Sequence, residues 1–152
     1  MQFPWQKPRE YFTEEQKALL VSAIQSAEQR TSGEVRLFVE GRCRYVDALE
    51  RAVEVFHQLG MERTAERNAT LLYLAMDDHQ AAVYGDKGIH EKVGPQYWQD
   101  TVRAMLDEFR HAHLVEGICL GIGRLGEALH RYFPYDAATD KNELPDDIVF
   151  GK

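Results

Sequence analysis

Apolar residues recur along this chain in two rhythms, one of three and four residues and one of two, and the switches between them mark out its elements. Thr13-Glu14-Glu15-Gln16 has the form of a capping box. Leu19, Leu20, Ile24 and Ala27 follow at helical spacing with charges between them, which predicts a first helix from about Glu14 to Arg30. Thr31-Ser32-Gly33 breaks it. Glu34-Val35-Arg36-Leu37-Phe38-Val39-Glu40 then alternates polar and apolar before a double apolar end, which predicts a strand with at least one buried face. Val46, Leu49, Val53, Phe56 and Leu59 return to helical steps, with Asp47 in the first turn and Gly60 just past the end, and predict a second helix.

Ala69 to Met76 is apolar without interruption, as expected of a central strand covered on both faces. Asp77-Asp78-His79 reads as a short turn, and Gln80 to Tyr84 returns as the second strand of a hairpin that Gly85-Asp86-Lys87-Gly88 ends. Two more helices are predicted, Pro95 to Arg110 and Val115 to Phe133, the latter carrying Ile118, Gly121, Leu125 and Leu129. Gly117, Gly121, Gly123 and Gly126 within that run are expected to allow close packing, because glycine inside a helix otherwise costs ~1 kcal/mol each. The order α-β-α-β-β-α-α predicts an α/β fold, an α/β/α sandwich with a small mixed β-sheet between helices. A right-handed strand-helix-strand crossover makes the first two strands parallel, and the hairpin adds an antiparallel third. Residues 1–12 are expected to form an N-terminal lead, 13–134 the domain, and 135–152 a polar C-terminal extension.

Composition narrows the function classes. The chain has 152 residues and a formal net charge of −7, with its basic residues scattered among acids, so no footprint for a phosphate backbone appears and nucleic acid is not an expected partner. Its apolar runs fall short of the ~20 residues of a membrane-spanning helix. Met1-Gln2-Phe3-Pro4-Trp5-Gln6-Lys7-Pro8 has neither an apolar signal core nor a small-residue cleavage site, so a cytoplasmic, monomeric protein is expected. Cys43 and Cys119 lie far apart without a C-x-x-C pair and read as reduced thiols.

Asn68-Ala69-Thr70-Leu71-Leu72-Tyr73-Leu74-Ala75-Met76-Asp77-Asp78-His79-Gln80-Ala81-Ala82-Val83-Tyr84-Gly85-Asp86-Lys87-Gly88-Ile89 resembles the signature of the TPM-domain family: an Asn before an apolar strand, an acidic hairpin turn, a second strand and a glycine turn. Ser32-Gly33-Glu34-Val35, the Val46 to Gly60 helix and Phe109 to Gly121 are similar to other family segments. Asn142-Glu143-Leu144-Pro145-Asp146-Asp147 looks like the tail of its signal-less, cytoplasmic branch. The resemblance implies an α/β/α sandwich. It also implies three candidate roles: binding of divalent cations, acid phosphatase activity as in photosynthetic membranes, or accessory work for membrane complexes. Two departures stand out: Arg67 precedes Asn68 where an acid is common, and the glycine turn holds one residue more between its glycines.

The end of a hairpin's second strand returns beside the start of its first, so Asp86, with Glu91 soon after it, is expected near Asn68. Carboxylate, amide and carbonyl oxygens suit a hard cation, and the three residues are the candidate ligands of a weak calcium or magnesium site. The alternative is that Asp86 caps a helix beginning near Gly88. Asp77 and Asp78, at the other end of the hairpin, are expected to serve the turn. His111, His113 and Glu116 form a second, weaker candidate for a transition metal. A metal-assisted phosphate-ester hydrolase with one carboxylate as base is the enzymatic alternative. The third reading is an interaction domain whose extension, with Leu144, Ile148, Val149 and Phe150 among acids, binds a protein partner or docks back on its own sheet edge.

Overall fold

The capping box forms as the sequence requires. In the computed structural model, which describes residues 10–45, 47–136 and 147–151, Thr13 Oγ1 accepts from the Gln16 amide and the Gln16 side chain accepts from the Thr13 amide, opening α1 (Glu14–Glu28). The remaining elements are β1 (Glu34–Glu40), α2 (Ala48–Gln58), β2 (Ala69–Ala75), β3 (Gln80–Gly85), α3 (Lys87–Val93), α4 (Pro95–Arg110), α5 (Leu114–Tyr132) and β4 (Val149–Phe150). Asp47 caps α2 by accepting from the Leu49 amide, so α2 starts just after it; Val46, the predicted first residue, lies outside the described residues. The Asn142 to Asp146 part of the extension also lies outside them.

The sheet order is β3-β2-β1-β4. β1 and β2 are parallel, from Glu34↔Ala69 to Glu40↔Ala75, and β3 runs antiparallel to β2, from Thr70↔Gly85 to Ala75↔Gln80. Period two sorts the side chains. Val35, Leu37, Val39, Leu72, Leu74 and Val83 face α1, α3, α4 and α5, while Phe38, Leu71, Tyr73 and Ala82 face α2. This two-faced burial is the α/β/α sandwich expected. All seven residues of β2 are buried, which accounts for its unbroken apolar run. On α5, a Cβ on Gly121 would lie 2.5 Å from Met105 Sδ and one on Gly126 2.7 Å from Ala27 Cβ, so α5 approaches its neighbours closely there; at Gly123 nothing lies within 4 Å.

Two elements follow alternatives that the sequence offered. Residues 87–93 are helical, short enough to leave no hydrophobic repeat, and Asp86 is their N-cap. The described end of the extension docks back on its own sheet edge, the alternative to binding a partner: Ile148 is buried, and Val149 and Phe150 pair in parallel with Phe38 and Val39, making a short fourth strand that covers that part of the β1 edge. Phe150 also meets Phe12 at a ring distance of 6.4 Å. No described helix is long and apolar enough to cross a membrane.

Candidate functional site

Among the described residues no strand pairs with the outer side of β3, and its ladder fixes which backbone groups face outward. The Asp86 amide donates to the Ala69 carbonyl, so by alternation Tyr84, Ala82 and Gln80 share hydrogen bonds with β2. The amides and carbonyls of Ala81, Val83 and Gly85 therefore point outward. The four-residue turn Met76 to His79, with His79 at φ 53°, closes the hairpin in the same register. Gln80-Ala81-Ala82-Val83-Tyr84 contains no charge and no proline, the usual devices that blunt an exposed strand edge.

A groove of about 530 Å³ runs along this edge. Its walls are Asp47 and Leu49 from α2 on one side and Pro95, Trp98, Gln99 and Val102 from α4 on the other, with Lys87 and His90 of α3 at one end. Phe56 meets Tyr84 edge-on at 4.9 Å, which sets the C-terminal half of α2 beside the Gly85 end of β3 and its first turn beside Ala81. Trp98 is held firmly: a Cβ on Gly85 would lie 2.5 Å from its ring, so only glycine lets the indole rest on the strand. The indole N–H donates to His90 Nδ1 at 2.9 Å. An indole can only donate, so His90 accepts there and carries its own proton on Nε2.

Beyond the Gly85 end stands Asp86, 1% exposed. The Arg67 guanidinium grips it in a bidentate pair, Nε to Oδ2 at 2.6 Å and Nη2 to Oδ1 at 2.9 Å, while Oδ1 also accepts from the Lys87 amide at 2.8 Å. The hydrogen bond to Asp86 pushes the Arg67 pKa up. Asn68 is also buried, but its amide donates to Ser32 Oγ at 3.3 Å, on the β1 side of β2, whereas Asp86 lies on the β3 side. Glu91 lies exposed on α3. The hairpin thus brings Asp86 beside the start of β2, while the Asn68 side-chain amide donates toward β1.

The other candidates take structural contacts. Asp78 Oδ2 accepts from the Cys43 amide at 2.6 Å, tying the loop after β1 to the hairpin turn, and Asp77 packs where a Cβ on Gly41 would stand. His113 Nδ1 contacts Glu108 at 2.9 Å, and His111 Nδ1 contacts the Asp107 carbonyl at 2.8 Å. Among the described residues no group of three or more His, Cys, Asp or Glu is placed to hold a metal ion.

Sequence reasoning also missed a buried charged network under α2. Glu40 accepts from Arg51 Nε at 2.8 Å and Nη2 at 2.9 Å and from the Tyr73 hydroxyl, and Arg51 also reaches Glu54. The hydrogen bonds with Glu40 raise the Arg51 pKa, and burial followed by the Glu40 contact raises that of Tyr73. The sign visible in sequence was Glu40 itself, an acid ending an apolar strand with Arg51 on the helix that follows.

A parallel β1–β2 pair extended by an antiparallel hairpin strand and sandwiched between helices is the architecture of a TPM domain, and the sequence model of the TPM domain matches residues 6–128. The chain belongs to the TPM domain family. It is similar to the BA42 protein of the psychrophilic bacterium Bizionia argentinensis, known from an NMR structure, with 38% identity over 95% of this chain and 99% of that one and a TM-score of 0.85. The N-terminal domain of a P. gingivalis protein, 15% identical over 78% of this chain and 76% of its own, shares the fold with a TM-score of 0.64. No curated protein matches the chain.

Proposed function

We propose that this TPM domain is a non-enzymatic interaction domain that receives an extended polypeptide segment along β3. The observation that carries the reading is an unblunted strand edge at the floor of an apolar groove, where main-chain hydrogen bonds give affinity and the walls give selectivity. The test is selection of displayed random six-residue segments, the length of β3, on the full chain and on two variants. Ala81→Pro removes an outward amide and leaves the β2 ladder whole. Leu49→Glu places a charge on a wall residue that is 44% exposed, where folding tolerates it. Enrichment on the parent and its loss on both variants is expected; no enrichment, or the same enrichment on both variants, refutes the reading.

A second reading, a weak calcium or magnesium site of Asn68, Asp86 and Glu91, draws support from the family resemblance and from the closeness of Asp86 to the start of β2. In it Arg67 occupies the place of the cation. Arg67→Gln is then expected to strengthen calcium-induced NMR shifts in residues 66–92, and absence of shifts in both proteins at millimolar calcium rejects the site. Metal-assisted phosphate-ester hydrolysis would draw on the same cation.

A further inference from the structure

Resting on the strand-docking reading, we infer that the groove takes the carboxyl-terminal end of a polypeptide, added parallel to β3, with its terminal carboxylate at Lys87 and His90. The groove carries charged or basic residues at its two ends and uncharged ones between them. Asp47, before the first turn of α2, lines it toward the Ala81 end, and Lys87 and His90 of α3, just past the last residue of β3, line it toward the Gly85 end. A parallel strand runs from the Ala81 end to the Gly85 end, so its amino side meets the acid and its carboxyl side meets the donors. An antiparallel strand would reverse both contacts.

The chain terminus fits that end better than an acidic side chain. Side chains of an added strand project toward the two walls, and those walls, Leu49 on one side and Pro95, Trp98, Gln99 and Val102 on the other, hold no basic group. Lys87 instead lies past the last residue of β3, in line with the strand, where the first turn of α3 lines the end of the groove. A group met in line with the strand is the end of a backbone. His90 is pre-set for the contact, because its bond to Trp98 fixes the tautomer that leaves Nε2 a donor without any rearrangement on binding. β3 spans six residues, so the inferred ligand is a free carboxyl terminus preceded by about five extended residues with apolar side chains.

The test uses the full chain, isotope-labelled, and a synthetic hexapeptide of alternating valine and alanine, prepared with a free carboxylate and as the amide. Shifts at Ala81, Val83 and Gly85 are expected with both forms, about tenfold weaker for the amide, the worth of one charge-assisted hydrogen bond. Lys87→Gln, an exposed position, is expected to bring the two forms to nearly equal affinity. A spin label on the peptide's amino end is expected to broaden Leu49 and Ala81 and to spare Lys87. Equal affinity of acid and amide on the parent, or broadening at Lys87, overturns the inferred polarity while strand docking stands. No shift with either form at millimolar peptide overturns the docking reading and this inference with it.

Discussion

Two glycines in helices make a matched pair whose alanine variants are expected to move stability in opposite directions. At Gly88, in the first turn of α3, a Cβ would stand 2.2 Å from the Glu66 carbonyl oxygen and 2.6 Å from that of Arg67, against a floor of 3.0 Å for real Cβ contacts. Both obstacles are backbone and cannot rotate away. The start of α3 must therefore retreat by about 1 Å, which strains the packing by ~1–3 kcal/mol. The retreat also stretches the 2.8 Å bond from the Gly88 amide to the Arg67 carbonyl, worth a further ~1 kcal/mol. Alanine's helix preference returns at most ~1 kcal/mol, so Gly88→Ala loses about 1–3 kcal/mol net. For a chain of this size that is a fall in Tm of roughly 2–12 °C. At Gly123 nothing lies within 4 Å of the added methyl, and Gly123→Ala is expected to gain up to ~1 kcal/mol, or about 2–4 °C. Thermal melts followed by circular dichroism decide both. A Gly88→Ala protein that melts at or above the parent temperature would show that α3 does not bear on the Glu66–Arg67 backbone as described.

Glu40→Ala leaves the Tyr73 hydroxyl fully buried and Arg51 only 19% exposed, and is expected to lose about 2–4 kcal/mol in urea unfolding, with Glu40→Gln losing less because it keeps an acceptor. A loss under ~0.5 kcal/mol for the alanine variant would mean that the network does not support the α2 face. Burial raises the pKa of Tyr73, Tyr84 and Tyr97 above the ordinary tyrosine value. Above about pH 10 the unfolded chain sheds these protons while the folded one keeps them, so their contribution, fully present below that pH, is lost as pH rises further. Tyr73→Phe is expected to make the alkaline fall in Tm shallower, and an unchanged slope would contradict a shifted Tyr73.

Elements with a long repeat were legible in the sequence, and short or tertiary ones were not. The capping box at Thr13, the unbroken run of β2 and the stepped apolar face of α2 each carry enough residues for a period to show. β4 is two residues long and cannot show one; its pairing depends on Val149 reaching Phe38, more than a hundred positions away. α3 announced itself only through Asp86 as a possible cap, weighed against a role as ligand. The Asp86 carboxylate both caps α3 and pairs with Arg67, a contact that the sequence showed only as an arginine where the family pattern commonly has an acid. Of the four glycines expected to permit close packing in α5, Gly117, Gly121 and Gly126 do so and Gly123 does not, because helix position alone does not say which side has a neighbour. The groove had one sign in the sequence, the missing charge in β3. Its walls come from α2 and α4, which only the fold brings to the same edge.

The two edges of the sheet differ in how fast they can be reached. The cover on β1 is two residues, anchored mainly by Ile148 and Phe150, and a segment so short opens by local fluctuation at a small fraction of the global unfolding free energy. Any strand competing for that edge must wait for the opening, so its association rate is reduced by the fraction of time the edge is bare. Among the described residues β3 carries no such cover. It is pinned to β2 over its whole length, and its outward groups already stand in extended geometry along the groove. Capture there is expected near the ordinary ungated range, on the order of 10⁵–10⁷ M⁻¹s⁻¹, with differences among ligands appearing in how long each stays.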